Sequence, residues 1–300
     1  MDSLFSRMDI DTVLHNHRLC HAVLGVSRRE FDALLVVFAQ IVRESAENKK
    51  RERAFGGGSN GNIKSPRKKL FFILWYIKVY PTFDVAAYVF ASSKSRTQRW
   101  AHDIIPLLEK TLGRHVVLPK RRISSPEEFH AAFPGMKEVM LDGVERPTIR
   151  SKKKKTQGKH YSGKKKRHMR KNLVVTDSRK RILVLTPSKH GRVHDKKLLD
   201  KAVLHIPDDV AVLADTGFQG LSKKHQNALI PAKKPKGGLL TDAQKAMNRL
   251  ISSCRIPVEH AIGGMKRFRA VSDIFRNKNG FDDRLINVAA GLWNLHIQMA

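Results

Sequence analysis

Beyond Phe133–Pro134–Gly135 the apolar residues change their spacing, and this change restricts the chain to a small set of folds. Before it they recur every three or four positions, as amphipathic helices require; after it they gather into short, β-branched runs. Upstream, Ser27 and Glu30 form a capping-box pattern. Phe31, Leu34, Leu35, Phe38, Ile41 and Val42 follow at helical spacing, predicting a helix from Ser27 to about Glu47. The charged run from Asn48 to Arg53 and the stretch from Gly56 to Gly61 read as a linker. Three helices are expected between Arg67 and Leu112. Pro81 interrupts the first, Thr82 caps the second (Phe83 to Phe90), and an Ala91–Ser92–Ser93 turn opens the third at Lys94. Gly113 is the expected stop.

Downstream, Glu138 to Leu141 reads as a short strand ending at Asp142. Asn172–Thr176 and Arg181–Thr186 read as a hairpin turning on Asp177–Lys180. His194–Leu204 is expected to be helical, Val210–Ala214 a strand ending at Asp215, and Asn227–Ile230 a further strand. Thr241 and Gln244 open a helical region that carries Glu259, and Asp282–Met299 forms a last amphipathic helix. This order is mixed α/β, and no internal repeat is present. The expected organisation is a helical region with a Gly-rich linker (1–62), a second helical region (63–120), and an α/β domain with a mixed sheet (135–300).

Charge narrows the class of partner. Lys and Arg number 58 against 27 Asp and Glu, a formal net charge of +31. Such one-sidedness points to a polyanion. From Arg150 to Lys171 there are 12 Lys or Arg in 22 positions and no acid, interrupted by Tyr161 and two histidines. A run of this kind between two strands suits a phosphate-contacting surface; a solvated segment and a nuclear-import signal share its composition. The longest apolar run, Leu70–Ile77, is far too short to span a bilayer, and the first residues lack the apolar core of a secretion signal. Two cysteines exclude a disulfide framework. The expectation is an intracellular protein (cytoplasm or nucleoid in a bacterium, nucleus in a eukaryote) that faces nucleic acid and no membrane.

Two constellations can carry chemistry. Helix, tight turn, then a helix opening with Lys94, Ser95, Arg96, Gln98 and Arg99 is a helix-turn-helix layout, whose short polar and basic side chains reach base edges and phosphates. A small helical bundle with a solvated basic face fits the same spacing. Asp142 and Asp215 each close a short apolar run, and in open sheets ligands gather at the carboxyl ends of strands. Two such carboxylates can share a divalent cation, and Glu259 can supply a third from a helix. Arg255, Glu259 and Lys266 are spaced to share a helical face. Asp after a strand is also common for its turn and capping habits, and Asp177, Asp195, Asp208 and Asp209 stand in comparable places. His194 and Asp195, where a loop enters a helix, can assist proton transfer, contact nucleic acid or simply cap the helix. His15, His17, Cys20 and His21 lack a second cluster at zinc-like spacing.

Taken together, these residues resemble one family: the insertion-sequence transposases of the insertion-sequence-five-like group, relatives of the Harbinger nucleases. The resemblance runs from about Ser27 to Leu295. Asp142–Gly143–Val144–Glu145 resembles that family's first catalytic Asp motif. The run Tyr161–Ser162–Gly163–Lys164–Lys165–Lys166–Arg167–His168 resembles its basic motif and is the most specific match. His194–Asp195 and Ala214–Asp215–Thr216–Gly217–Phe218–Gln219–Gly220 follow in family order. Arg255, Glu259 and Lys266 reproduce its Arg–Glu–Lys spacing, and Tyr80–Pro81–Thr82–Phe83 resembles the start of its helix-turn-helix. Ser252 stands where many members have Tyr, Phe218 replaces a frequent Tyr, and Pro257 lies two residues before Glu259. The resemblance implies an RNase H-like catalytic fold, a DDE triad of Asp142, Asp215 and Glu259, and cutting and joining of double-stranded DNA at element ends. It implies Mg²⁺, replaceable by Mn²⁺, as two ions, and a homo-oligomer on DNA. Lys94, Arg96, Gln98, Arg99, Tyr161, Lys164, Lys165, Lys166, Arg167, His168, Arg255 and Lys266 become the expected DNA contacts, with His194 and Asp195 as auxiliaries. The alternatives are a domesticated DNA-binding regulator with the same fold and no chemistry, and an RNA-binding protein. Neither RNP-like aromatics nor a GXXG clamp in KH context supports the latter.

Overall fold

A computed structural model describes residues 8–47, 63–235, 237–277 and 280–300. The expected Gly-rich linker lies outside the described residues. The chain divides into two compact units: one of residues up to Leu118 with Lys266–Asp273 and Arg284–Ala300, the other of Pro119–Met265 with Ile274–Asp283.

The first unit is helical. It contains α1 (Ile10–His15), α2 (His17–Leu24), α3 (Arg28–Glu47), α4 (Pro66–Val79), α5 (Phe83–Val89) and α6 (Lys94–Arg114). The box that opens α3 is formed in full. Glu30 N donates to Ser27 Oγ at 3.1 Å, and Ser27 N donates to Glu30 Oε2 at 2.6 Å. Tyr80, in the left-handed conformation at φ 49°, ends α4 just before Pro81, and Thr82 Oγ1 caps α5 by accepting from Val85 N. Ala91 (φ 46°) turns the chain and Ser93 caps α6. Rings fix the angle between these helices: Phe72 lies edge-on to Phe90 and Trp100, and Tyr76 stacks on Phe83 at 5.5 Å. Under the turn, the buried Thr97 hydroxyl donates to Phe83 O at 3.2 Å. Gly113 does not stop α6, which runs on through Arg114; the left-handed residue after it is Val116 (φ 56°).

The second unit holds a seven-stranded mixed sheet. After α7 (Pro126–Ala132), β1 (Glu138–Pro147) is followed by α8 (Lys154–His160), β2 (Tyr161–Ser162), β3 (Arg167–Thr176), β4 (Ile182–Leu185) and β5 (Lys189–His190). Then come α9 (Asp195–Asp200), β6 (Ala211–Ala214), β7 (Ala228–Leu229), α10 (Asp242–Cys254) and α11 (Ile256–Lys266). β3 runs antiparallel to β1 and carries β2, β4 and β5 on its other edge; β6 lies parallel to β1, and β7 parallel to β6. The β3–β4 hairpin turns on Asp177 as expected, with Asp177 Oδ1 accepting from Arg181 N at 2.8 Å. Val139, Leu141, Leu173 and Val175 meet Phe129 of α7 and Leu198 of α9 in one apolar core. Several expected boundaries shift, and β3 begins at Arg167, five residues before the expected Asn172. β1 does not end at Asp142 but continues to Pro147, because β3 pairs with it along that whole length. α9 stops at Asp200 instead of Leu204. The chain ends with α12 (Arg269–Ser272) and α13 (Phe281–Met299).

One buried ion network lies in this unit. Arg146, only 2% exposed, donates from Nη1 to Asp282 O at 3.0 Å and from Nη2 to Asn172 Oδ1 at 2.9 Å. Its carboxylate partner is Asp282, at 3.2 Å, which also takes Arg170 at 2.9 Å. Burial pushes the Arg146 guanidinium down to about 10, against the pull of Asp282. Removing one partner of a buried pair leaves the other uncompensated. Arg146→Ala is therefore expected to lower stability by about 3 kcal/mol, near the low end for such losses because Arg170 still holds Asp282. Urea unfolding of wild type and variant measures it, and a loss below ~1 kcal/mol would contradict the assignment.

Candidate active site

Asp142 and Asp215 occupy the next matched position beyond the paired run of β1 and β6, since Leu141 pairs with Ala214 in parallel register. Adjacent strands bring such residues to about 5 Å apart at the backbone. Each aspartate is fixed in the same way. Asp142 Oδ1 accepts from Gly143 N at 2.7 Å, and Asp215 Oδ1 accepts from Thr216 N at 2.7 Å. Asp142 remains within β1, whereas Asp215 caps a short 3₁₀ turn, Thr216–Phe218. Burial holds the Asp142 carboxyl above its ordinary range; Gly143 N–H and Arg255 pull it back, and Asp215 and Asp195 push it up.

One guanidinium joins the two. Arg255, 7% exposed, reaches Asp142 Oδ2 with Nη2 at 3.2 Å and Asp215 Oδ1 with Nη1 at 3.7 Å. It stands at the junction where α10 ends and α11 begins. Pro257, the second residue of α11, costs that helix no internal hydrogen bond. Glu259 is one turn farther along, exposed in the first turn of α11, and Lys266 closes the same helix. Among the described residues no group of three or more His, Cys, Asp or Glu is arranged to hold a metal ion, so the structure brings Asp142 and Asp215 together but not Glu259 with them. The aspartate pair does fit a divalent cation: two hard oxygen donors on neighbouring strands already share one positive group.

Asp195 begins α9 with His194 as its N-cap, and no side-chain capping bond is made by His194. The Asp195 carboxylate meets Lys171 Nζ at 3.1 Å, and the same Nζ meets Glu145 Oε1 at 2.8 Å. Lys171 and Glu145 are register partners on β3 and β1. Burial works against the Lys171 charge, but Glu145 and Asp195 outweigh it and hold the ammonium above its ordinary value. Spacing along the sequence does not reveal this trio; only the β1–β3 register, which aligns positions 145 and 171, does.

A cavity of about 800 Å³ adjoins Asp195 and Lys171. Arg150, Tyr161, Lys164, His168 and Arg192 are among its walls, so the basic run does not project as a tail. The Tyr161 and His168 rings meet edge-on at 5.7 Å across the β2–β3 hairpin. Lys164, Lys165, Lys166 and Arg167 are all exposed. In the first unit, Lys94, Gln98 and Arg99 at the start of α6 are exposed and Arg96 is half-buried, with Lys94 pairing with Asp84 at 2.9 Å.

Comparison with known proteins agrees with this geometry. Residues 141–294, which contain both aspartates, Arg255 and Glu259, match the DDE superfamily endonuclease family. The chain belongs to the DDE superfamily of endonucleases. It is also 28% identical over 278 residues to the probable transposase for insertion sequence element IS702 of Microchaete diplosiphon, covering 92% of this chain and 93% of that protein. No solved structure matches it. Dependence on a divalent metal is general to the DDE endonucleases.

Proposed function

We propose that this protein is a DNA transposase that cuts and joins phosphodiester bonds at the ends of an insertion element. The observation that carries this is the placement of Asp142 and Asp215 at the same matched position beyond the paired run of two neighbouring parallel strands, bridged by the Arg255 guanidinium. The order β4-β3-β1-β6-β7, with an antiparallel meander, then a helix, then two strands parallel to β1, supports an RNase H-like catalytic domain. Asp142 and Asp215 would hold Mg²⁺, or Mn²⁺ in its place, as one or two ions, with Glu259 as the third carboxylate. Such ions supply charge stabilisation at the reacting phosphate and lower the pKa of water. Arg255 offsets part of the charge of the aspartate pair and offers a fork that also suits a phosphate. In the first step water attacks a phosphodiester at the element end, and the 3′-hydroxyl leaves as that bond breaks. In the second step this hydroxyl attacks a phosphodiester of target DNA and a new 3′-hydroxyl leaves. The segment Tyr161–His168 holds the backbone, and α5–α6 with their capped turn act as the helix-turn-helix that reads the element end. A homo-oligomer on the DNA holds two ends together, inside the cell.

The test is cleavage of DNA carrying the flanking inverted repeats of the gene with Mg²⁺ present. Glu259→Gln should cut more than about 100-fold more slowly, because loss of even an indirect metal-site partner costs 10–100-fold. Its DNA affinity should stay within about twofold, since neutralising an acid removes no phosphate contact. Binding without any cleavage by the wild type, at all metals tried, would favour the regulator reading.

A further inference from the structure

Both metal-site aspartates are followed closely by a glycine, and the same carboxylate fills the space beside each glycine. A Cβ built on Gly143 would lie 3.1 Å from Asp195 Oδ1, and one built on Gly217 would lie 3.3 Å from Asp195 Oδ2. Neither glycine has a positive φ, so conformation does not demand glycine at these positions; a Cβ at either one would instead press on the Asp195 carboxylate and make it give way by a few tenths of an ångström. Side chains alternate along a strand, so Asp195 approaches β1 from the face opposite to Asp142. Lys171, 8% exposed at its side chain, holds Asp195 there from β3, and Glu145 holds Lys171 from β1. Glu145 Oε2 has no hydrogen-bond partner among the described residues.

We propose that Asp195 is a positioning residue for the Asp142–Asp215 pair. Wedged between Gly143 and Gly217 and tied to Lys171, it sets the separation of the two segments that carry the aspartates, and through them the cation affinity of the pair. This rests on the reading of Asp142 and Asp215 as metal ligands.

The experiment is calorimetric titration of the DNA-free protein with Mn²⁺, with thermal melting of every variant. Asp142→Asn is the control: if it leaves Mn²⁺ affinity unchanged, the reading of the aspartate pair fails. Where that control weakens Mn²⁺ binding as expected, Asp195→Ala should bind Mn²⁺ about 10- to 100-fold more weakly, the usual cost of losing an outer partner of a metal site. Asp195→Asn, of the same size, should lose less. Gly217→Ala should weaken binding about tenfold in the wild-type background by crowding the carboxylate, and have little further effect in Asp195→Ala, where the space is open. Wild-type Mn²⁺ affinity in Asp195→Ala and Asp195→Asn overturns the proposal, as does strict additivity of Gly217→Ala and Asp195→Ala. A lowered melting temperature with unchanged Mn²⁺ affinity below the melt assigns Asp195 to stability alone and also overturns it.

Discussion

Asp215→Asn should abolish strand cleavage while leaving DNA binding nearly intact. Asp215 lies at the carboxyl end of β6, outside the basic segment, and its neutral isostere can still accept from Thr216 N. The 3₁₀ turn after it should therefore persist. What disappears is one of two anionic oxygen donors for a hard cation, and affinity for such ions depends on the number of charged ligands. The same change leaves Arg255 with a single carboxylate, Asp142, so its charge remains matched. Cleavage should fall by more than about 100-fold, beyond the range known for outer partners of metal sites. Duplex affinity should rise slightly or not change, because the protein loses a negative charge that phosphate would meet. A gel assay of nicking and a parallel binding titration check both halves. A purified variant that nicks terminal DNA at the wild-type rate would remove Asp215 from the site.

The second large effect separates the two basic regions. Lys164, Lys165 and Lys166 are exposed at the β2–β3 hairpin, next to the cavity walled by Tyr161 and His168. Neutralising all three should weaken binding to every duplex alike. It should also flatten the plot of log affinity against log salt by about 2–3 units, close to 0.9 for each phosphate that is no longer neutralised. Arg96 and Arg99, in the first turns of α6, should behave differently. Their replacement should narrow the preference for element ends over random DNA by about 1–3 kcal/mol if they reach base edges. Salt titrations with both DNA types decide the matter. A lysine variant that lost only specificity, or an arginine variant that lost only overall affinity, would reverse the assignment.

Much of the secondary structure is written locally, and the departures have a common cause. The box at Ser27 and Glu30, the turn at Asp177 and the capping box at Thr241 and Gln244 each need only four or five neighbouring residues, and each forms as its spacing predicts. Asp142 reads as a strand end because its sequence neighbours, Gly143 to Pro147, are poor in the β-branched residues that mark a strand. They are held in the sheet by β3, some 22–30 residues away, whose pairing no local pattern reveals. Asp142 and Asp215 are legible as candidates because each follows a short apolar run directly. The family resemblance points Arg255 at DNA; its contact with both aspartates depends on where the α10–α11 junction falls, which spacing along a helix cannot give. The trio of Glu145, Lys171 and Asp195 joins two strands and a helix, so it too is invisible until the register is known.

The distance between Asp142 and Asp215 is a repeat length of the sheet. No loop has to be tuned to bring them together: once β1 and β6 hydrogen-bond in register, the following residue of each strand arrives beside its neighbour. Such a pair is inherited with the hydrogen-bond ladder itself, and side chains that touch neither strand end, unlike Asp195, are free to drift without disturbing it. This gives a physical reason why the backbone spacing of the two aspartates depends on the β1–β6 register and little on the identity of side chains far from it.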